Sequence, residues 1–187
     1  MLYDMFIIVF QYYAGILMNR PSSQALAVAR PIILGLTVLN ILYAALIITF
    51  LVASFYIEGW PGRNLGFDPA TRHLQAANGL RAIMVIGMVV LAIVHMILRR
   101  LLAIVDTVRG GDPFVLQNAK RLAMIAWGVL AIEVLRLVTI VIGQTLSLPN
   151  NGTGFTPASW LAVLLLFVLS GVFTHGTRMR TDLEGTV

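Results

Sequence analysis

The sequence predicts an all-α integral membrane protein, a four-helix bundle with both termini in the cytoplasm. Three observations lead there. Of 187 residues, 59% are hydrophobic and only 11% are charged, whereas a soluble domain carries about 25% charged residues. Together with a mean hydropathy of +0.90, this leaves too little charge to cover a globular surface, so a bilayer is the expected solvent. Apolar runs of spanning length recur at about 31–56, 80–98, 122–147 and 158–174. The basic residues gather at the ends of those runs, on one side.

Residues 1–28 stand apart as a cytoplasmic or interfacial segment before the four-span domain at 29–187. The run from Met5 to Met18, broken by Gln11, is shorter than the ~20 residues a span needs. It has no Lys or Arg before it, as a signal peptide would. Two readings stand side by side: a helix lying in the interface, which suits Tyr3, Tyr12 and Tyr13, or a true start near Met18. A fifth span is a third reading.

The first span, about Pro31 to Tyr56, is expected to begin with Pro31 in its first turn, where a missing N–H costs nothing. Asn40 and Tyr43 should face other helices, because hydrocarbon offers them no partner. The loop from Ile57 to Asn78 is rich in Gly, Pro, Asn and Asp, which marks irregular backbone. Its His73 reads as an isolated polar residue rather than a ligand. In the second span, about Leu80 to Leu98, Arg81 is expected to snorkel to the outer headgroups. His95 lies one turn before the Arg99–Arg100 doublet and suits an interfacial hydrogen bond.

The main polar break is GGDPFVLQNAKRL, Gly110 to Leu122. Gly110 and Gly111 should end the second helix. Asp112 then reads as an N-cap with Pro113 at the first helical position, so that a helix runs from Phe114 into the third span and lays its first turns on the membrane surface.

The third span carries Glu133 and Arg136. At a separation of three residues they share a helical face and can pair. At ~1.5 Å per residue they lie about 18 to 22 Å beyond Arg121, deep in the bilayer. Either the pair serves an ion or proton path, or it fixes helix packing. The loop 148–157 is uncharged. The fourth span, about Ala158 to Thr174, has Trp160 at its outer edge, and the tail from His175 reads as short and polar.

The net charge is +5 and the isoelectric point about 10.2. The placement of that charge speaks for topology and anionic lipid rather than direct nucleic-acid binding. Arg20, Arg30, Arg99, Arg100, Arg109, Lys120, Arg121, Arg178 and Arg180 fall on one side of a four-span chain, and Arg63, Arg72 and Arg81 on the other. The positive-inside rule puts the first side, with both termini, in the cytoplasm.

No phosphate loop, dinucleotide fingerprint, zinc-protease motif or nucleophile elbow occurs. With no cysteine and three scattered histidines, no metal-ligand spacing arises. The expectation is therefore a non-enzymatic protein without metal or cofactor.

Gly111 to Leu122, with the ending RMRTDLEGTV, resembles the bacterial domain-of-unknown-function 2975 family. That family's hinge pattern, G-x-PF-x-x-x-N-x-x-RL, is matched by Gly111, Pro113, Phe114, Asn118, Arg121 and Leu122. The tail matches at Asp182 to Val187, and the resemblance extends over about Ala29 to Val187. It implies four spans in a bacterial inner membrane, no known enzyme activity, and a genomic association with a small Xre-type helix-turn-helix regulator. The resulting expectation is a regulatory or interaction module that docks that regulator through Asp112, Pro113, Phe114, Asn118, Arg121, Asp182, Leu183 and Glu184. The alternative is an oligomeric transporter or channel subunit using Glu133 and Arg136. The lipid bilayer is a partner in either case, and a homo-oligomer is compatible with both.

Overall fold

The computed structural model describes residues 22–57, 73–145 and 157–184, with side chains over 28–57, 77–145 and 157–179. The readings made for residues 1–21, for the two outer loops, for His73 and for the side chains of Asp182, Leu183 and Glu184 lie outside this range. Four helices make up the described chain: α1 (Ser22–Tyr56), α2 (His73–Arg109), α3 (Leu116–Thr145) and α4 (Pro157–Glu184). Each contains a stretch long and apolar enough to cross a membrane: Val28–Tyr56, Ala77–Arg109, Leu116–Thr145 and Pro157–Met179.

The helices outrun the apolar runs that announce them. Nothing between Leu98 and Arg109 breaks a helix, so α2 continues until Gly110. Likewise α4 continues past Thr174 to Glu184. Pro31 lies inside α1 rather than in its first turn, because the Ala-rich stretch before it is itself helical. The ring then removes one main-chain bond within the helix.

Among the described residues the helices pack in chain order: α1 on α2, α2 on α3, α3 on α4. Within the described residues the four helices form an open row. Its consequence is visible in burial. α3, with a neighbour on each side, buries Asn118, Ala119, Ile125, Ala126, Gly128 and Glu133. α1, held on one side only, exposes most of its apolar side chains, and lipid is the solvent that suits them.

Small residues bring α3 close to its neighbours, as expected where packing rather than water drives association. A Cβ placed on Gly128 would lie 3.1 Å from Ile97 Cδ1 and 3.3 Å from Ile93 Cγ2. Gly87 and Gly171, the close-approach points suggested by sequence, are roomier, with only Ile47 Cδ1 at 3.6 Å from the first and nothing within 4 Å of the second. On the other side of α3, Ser170 Oγ donates a 3.0 Å hydrogen bond to the Ala119 carbonyl. Trp127 meets the Phe167 ring edge-on at 5.3 Å.

Several hydroxyls inside the spans are satisfied within their own helix. Thr37, Thr49, Thr139 and Thr174 each donate to the carbonyl one turn back, the usual solution for hydroxyls in helices. Asn40 Nδ2 donates 3.2 Å to the Leu91 carbonyl of α2, as a helix-facing residue should. Tyr43 is exposed instead. The stripe of α1 that meets α2 runs through Ile33, Thr37, Asn40, Ala44 and Ile47, and Tyr43 lies at its edge.

Arg81 does more than snorkel. Its guanidinium donates to the Ser54 carbonyl, to Ser54 Oγ at 3.2 Å and to Asn78 Oδ1 at 3.2 Å, and lies 4.3 Å over the Phe55 ring. A cation at the last turn of α1 caps orphan carbonyls and complements the helix dipole. At the opposite end, Arg30 Nε lies 3.6 Å from Asp106 Oδ1. The two contacts make α1 and α2 antiparallel. They place the start of α1 beside the end of α2, at the hinge end of the row.

Candidate functional site: the α2–α3 hinge and the intramembrane pair

The hinge is built by the backbone first. Gly110 N donates to the Asp106 carbonyl (3.1 Å), Gly111 N to Val108 (3.1 Å) and Asp112 N to Thr107 (3.2 Å). Gly111 has φ of 89°, the left-handed conformation that closes a helix and that only glycine adopts freely. This closure overturns the expected N-cap. Asp112 N is committed to the end of α2, and residues 112–115 are not helical. The first turn of α3 instead begins at Leu116, with Asn118 N on the Val115 carbonyl at 2.9 Å.

Side chains then lock the turn. Asn118 is 1% exposed. Its Nδ2 donates to the Pro113 carbonyl at 3.1 Å. Its Oδ1 accepts from Thr107 Oγ1 at 2.9 Å and from Arg121 Nη1 at 2.8 Å. Arg121 also donates to the Ala103 carbonyl on α2 at 3.3 Å. One carboxamide thus joins the end of α2, the turn and the start of α3. The first turns of α3 pack into this hairpin through Asn118 and Ala119 and leave Phe114 and Leu116 exposed on the other side. Asn118 is thus enclosed by the hairpin, whereas Arg121 is half-buried and keeps one side on the cleft between α2 and α3. Asn118 is inaccessible, and both its amide oxygen and its amide nitrogen are hydrogen-bonded.

Phe114 points along the row. Its ring is 5.4 Å from that of Phe173, and a Cβ on Gly176 would lie 3.5 Å from Phe114 Cδ1. The turn is therefore seated on the last part of α4, although Phe114 keeps 48% exposure. Asp112 is exposed and Pro113 half-buried. Beyond Gly176, Arg178 and Met179 are exposed at the same end.

Glu133 and Arg136 pair as their spacing requires. Arg136 Nε and Nη2 both lie 3.0 Å from Glu133 Oε2. Glu133 is 7% exposed. The charge at mid-span is neutralised within α3 itself, on its buried face. Among the described residues His95 belongs to no cluster of carboxylates and histidines. It lines a cleft with Arg99, Arg100 and Arg121, a grouping that sequence spacing alone does not reveal because it spans two helices. Thr107 was also missed. Its side of the clasp is set by the antiparallel pairing of α2 with α3, although the family hinge pattern did contain Asn118 and Arg121.

Four apolar helices of spanning length, joined by a hydrogen-bonded hinge and carrying a self-neutralised charge pair, define a multi-pass helical membrane protein. The chain belongs to the family described as Protein of unknown function (DUF2975), which matches residues 60–187. The match takes in the hinge, the charge pair and α4, and starts later than the Ala29 expected from the resemblance. Nothing matches among curated proteins or among solved structures.

Proposed function

We propose that this protein is a non-enzymatic interaction module of the bacterial inner membrane. Both termini and the hinge lie in the cytoplasm, and the hinge end of the row docks a small helix-turn-helix regulator. The observation that carries this reading is the seating of Phe114 against Phe173 and Gly176. It seats the hinge, which marks the family, on the part of α4 that leads into the tail.

That surface takes Asp112, Pro113 and Phe114 from the turn and, three residues beyond Gly176 on α4, Met179, which is 63% exposed. Asp182, Leu183 and Glu184 continue α4 beyond them. Apolar anchors ringed by charges suit a protein partner. Asn118 and Arg121 hold the surface in shape and do not present it.

The test is copurification. The regulator encoded beside the gene should be captured with the wild-type protein from detergent-solubilised membranes. It should be lost from F114A/M179A, whose melting temperature is measured in parallel. Equal capture by a folded F114A/M179A protein sinks the reading.

The transporter alternative draws on Glu133 and Arg136. Arg136 Nε and Nη2 both close on one carboxylate oxygen, which favours a packing pin over a path. Ion flux into liposomes that disappears in E133Q and R136Q would restore the alternative.

A further inference from the structure

Between α2 and α3, toward the hinge end, lies a cleft of about 460 Å³ lined by His95, Arg99, Arg100 and Arg121, with alanines and the thioethers of Met96 and Met124. No carboxylate lines it. Arg121 is oriented by Asn118 Oδ1 and the Ala103 carbonyl, neutral acceptors that aim a guanidinium without cancelling its charge. Arg100 Nη2 rests 3.1 Å from Met124 Sδ, a weak acceptor. Arg99 has no hydrogen bond or ion pair among the described residues. The sole carboxylate of α2, Asp106, is taken by Arg30 at 3.6 Å. Three guanidiniums therefore converge at the end of two apolar spans with no anion among the described residues to balance them.

We propose that this cleft binds the phosphate headgroup of an anionic phospholipid. Planar guanidinium forks match the paired oxygens of a phosphate diester. His95, one turn deeper on the same face of α2 as Arg99, adds a ring N–H donor. The methionine and alanine walls suit the glycerol and upper acyl chain. That apolar lining argues for a lipid over free phosphate, which gains nothing from it. Basic pockets between membrane helices recognise acidic headgroups on the same terms. The site does not depend on the regulator.

The experiment uses the full-length protein in nanodiscs. Native mass spectrometry counts retained phosphatidylglycerol, with phosphatidylcholine discs as the neutral reference. Wild type should retain phosphatidylglycerol. R99Q/R100Q should lose retention about tenfold or more, since each charge-assisted hydrogen bond is worth around a decade of affinity. R109Q/K120Q removes equal charge from exposed positions outside the cleft and should retain lipid like wild type. The single variant R99Q removes a side chain with no partner among the described residues, so the fold should tolerate it, and it should still lose retention several-fold.

Three results would overturn the proposal. One is unchanged retention in R99Q and R99Q/R100Q. Another is equal loss in R109Q/K120Q, which would mean diffuse surface charge. The third is stabilisation by millimolar inorganic phosphate in phosphatidylcholine discs with no lipid retained, which would mean a soluble phosphate ligand.

Discussion

Asn118 Oδ1 accepts from Arg121 Nη1 at 2.8 Å and from Thr107 Oγ1 at 2.9 Å, so a single buried oxygen ties α2 to α3. The hinge motif of the family is thereby explained as a fold determinant. Gly111 closes α2, Pro113 offers its carbonyl, Asn118 bridges, and Arg121 reaches back to Ala103.

Asn118→Ala should destabilise the hairpin by about 2 to 3 kcal/mol, because it leaves buried donors and an acceptor unpaired. Asn118→Asp keeps the accepting oxygen but loses the donor to Pro113, so it should cost less. Thermal unfolding in detergent, followed by circular dichroism, ranks the two. An Asn118→Ala protein as stable as wild type would remove the clasp from this account.

The contrast between the chain's legible and illegible parts follows from the same residues. Spans were legible because burial in lipid demands long apolar runs, and Glu133–Arg136 because a helix fixes the i,i+3 relation. Asp112 was misread because its sequence context fits an N-cap as well as a C-terminal closure. The backbone chose the closure once Gly111 took a positive φ. Arg81 on Ser54 and the arginine cleft were not legible at all, since each depends on the register between two helices. The open row was equally hidden: span count does not say which spans touch.

Gly111→Ala should cost about 1 to 2 kcal/mol, the penalty for holding an L-residue in the left-handed region. No steric clash contributes, since nothing lies within 4 Å of the added Cβ. Gly110→Ala should be close to neutral, its Cβ being 3.4 Å from the nearest atom, the Thr107 carbonyl oxygen. A parallel melt of the two variants checks this, and equal losses would contradict it.

Gly128→Ala should loosen α2 from α3 by about 1 kcal/mol, and Gly128→Leu by up to ~3 kcal/mol, by overpacking. The obstructing atom at 3.1 Å is the far end of Ile97. Ile97→Ala should therefore partly rescue Gly128→Ala. A double-mutant cycle with no coupling between these positions would be the contrary result.

Glu133→Gln should be more damaging than Arg136→Gln. A guanidinium left alone at mid-span cannot shed its charge, whereas a carboxyl can take up a proton. The single loss at Glu133 is expected to cost about 3 kcal/mol, as for other unpaired charges in hydrocarbon. Replacing both residues by leucine should restore most of the stability. If the pair is a packing pin, that double variant also keeps regulator capture. A stable double variant that no longer captures the regulator would instead assign the pair a role in function.

Arg81→Ala should free α1 while leaving the rest of the row intact. α1 touches only α2 among the described helices. It is tied there by Arg81 on Ser54 and Phe55, by Asn40 on Leu91, and by the exposed Arg30–Asp106 pair. The last of these lies largely in solvent and contributes little. Arg81 satisfies a carbonyl at the end of α1, so its loss leaves that carbonyl without this donor near the membrane edge. Arg81→Lys keeps the charge but not the fork or the stacking, and should recover only part of the effect. Hydrogen–deuterium exchange separates local from global loss. Protection should fall in α1 and in the facing part of α2, and stay unchanged across α3 and α4. Uniform loss across all four helices would mean that α1 is coupled to the far end of the row by contacts that the chain-order packing does not contain.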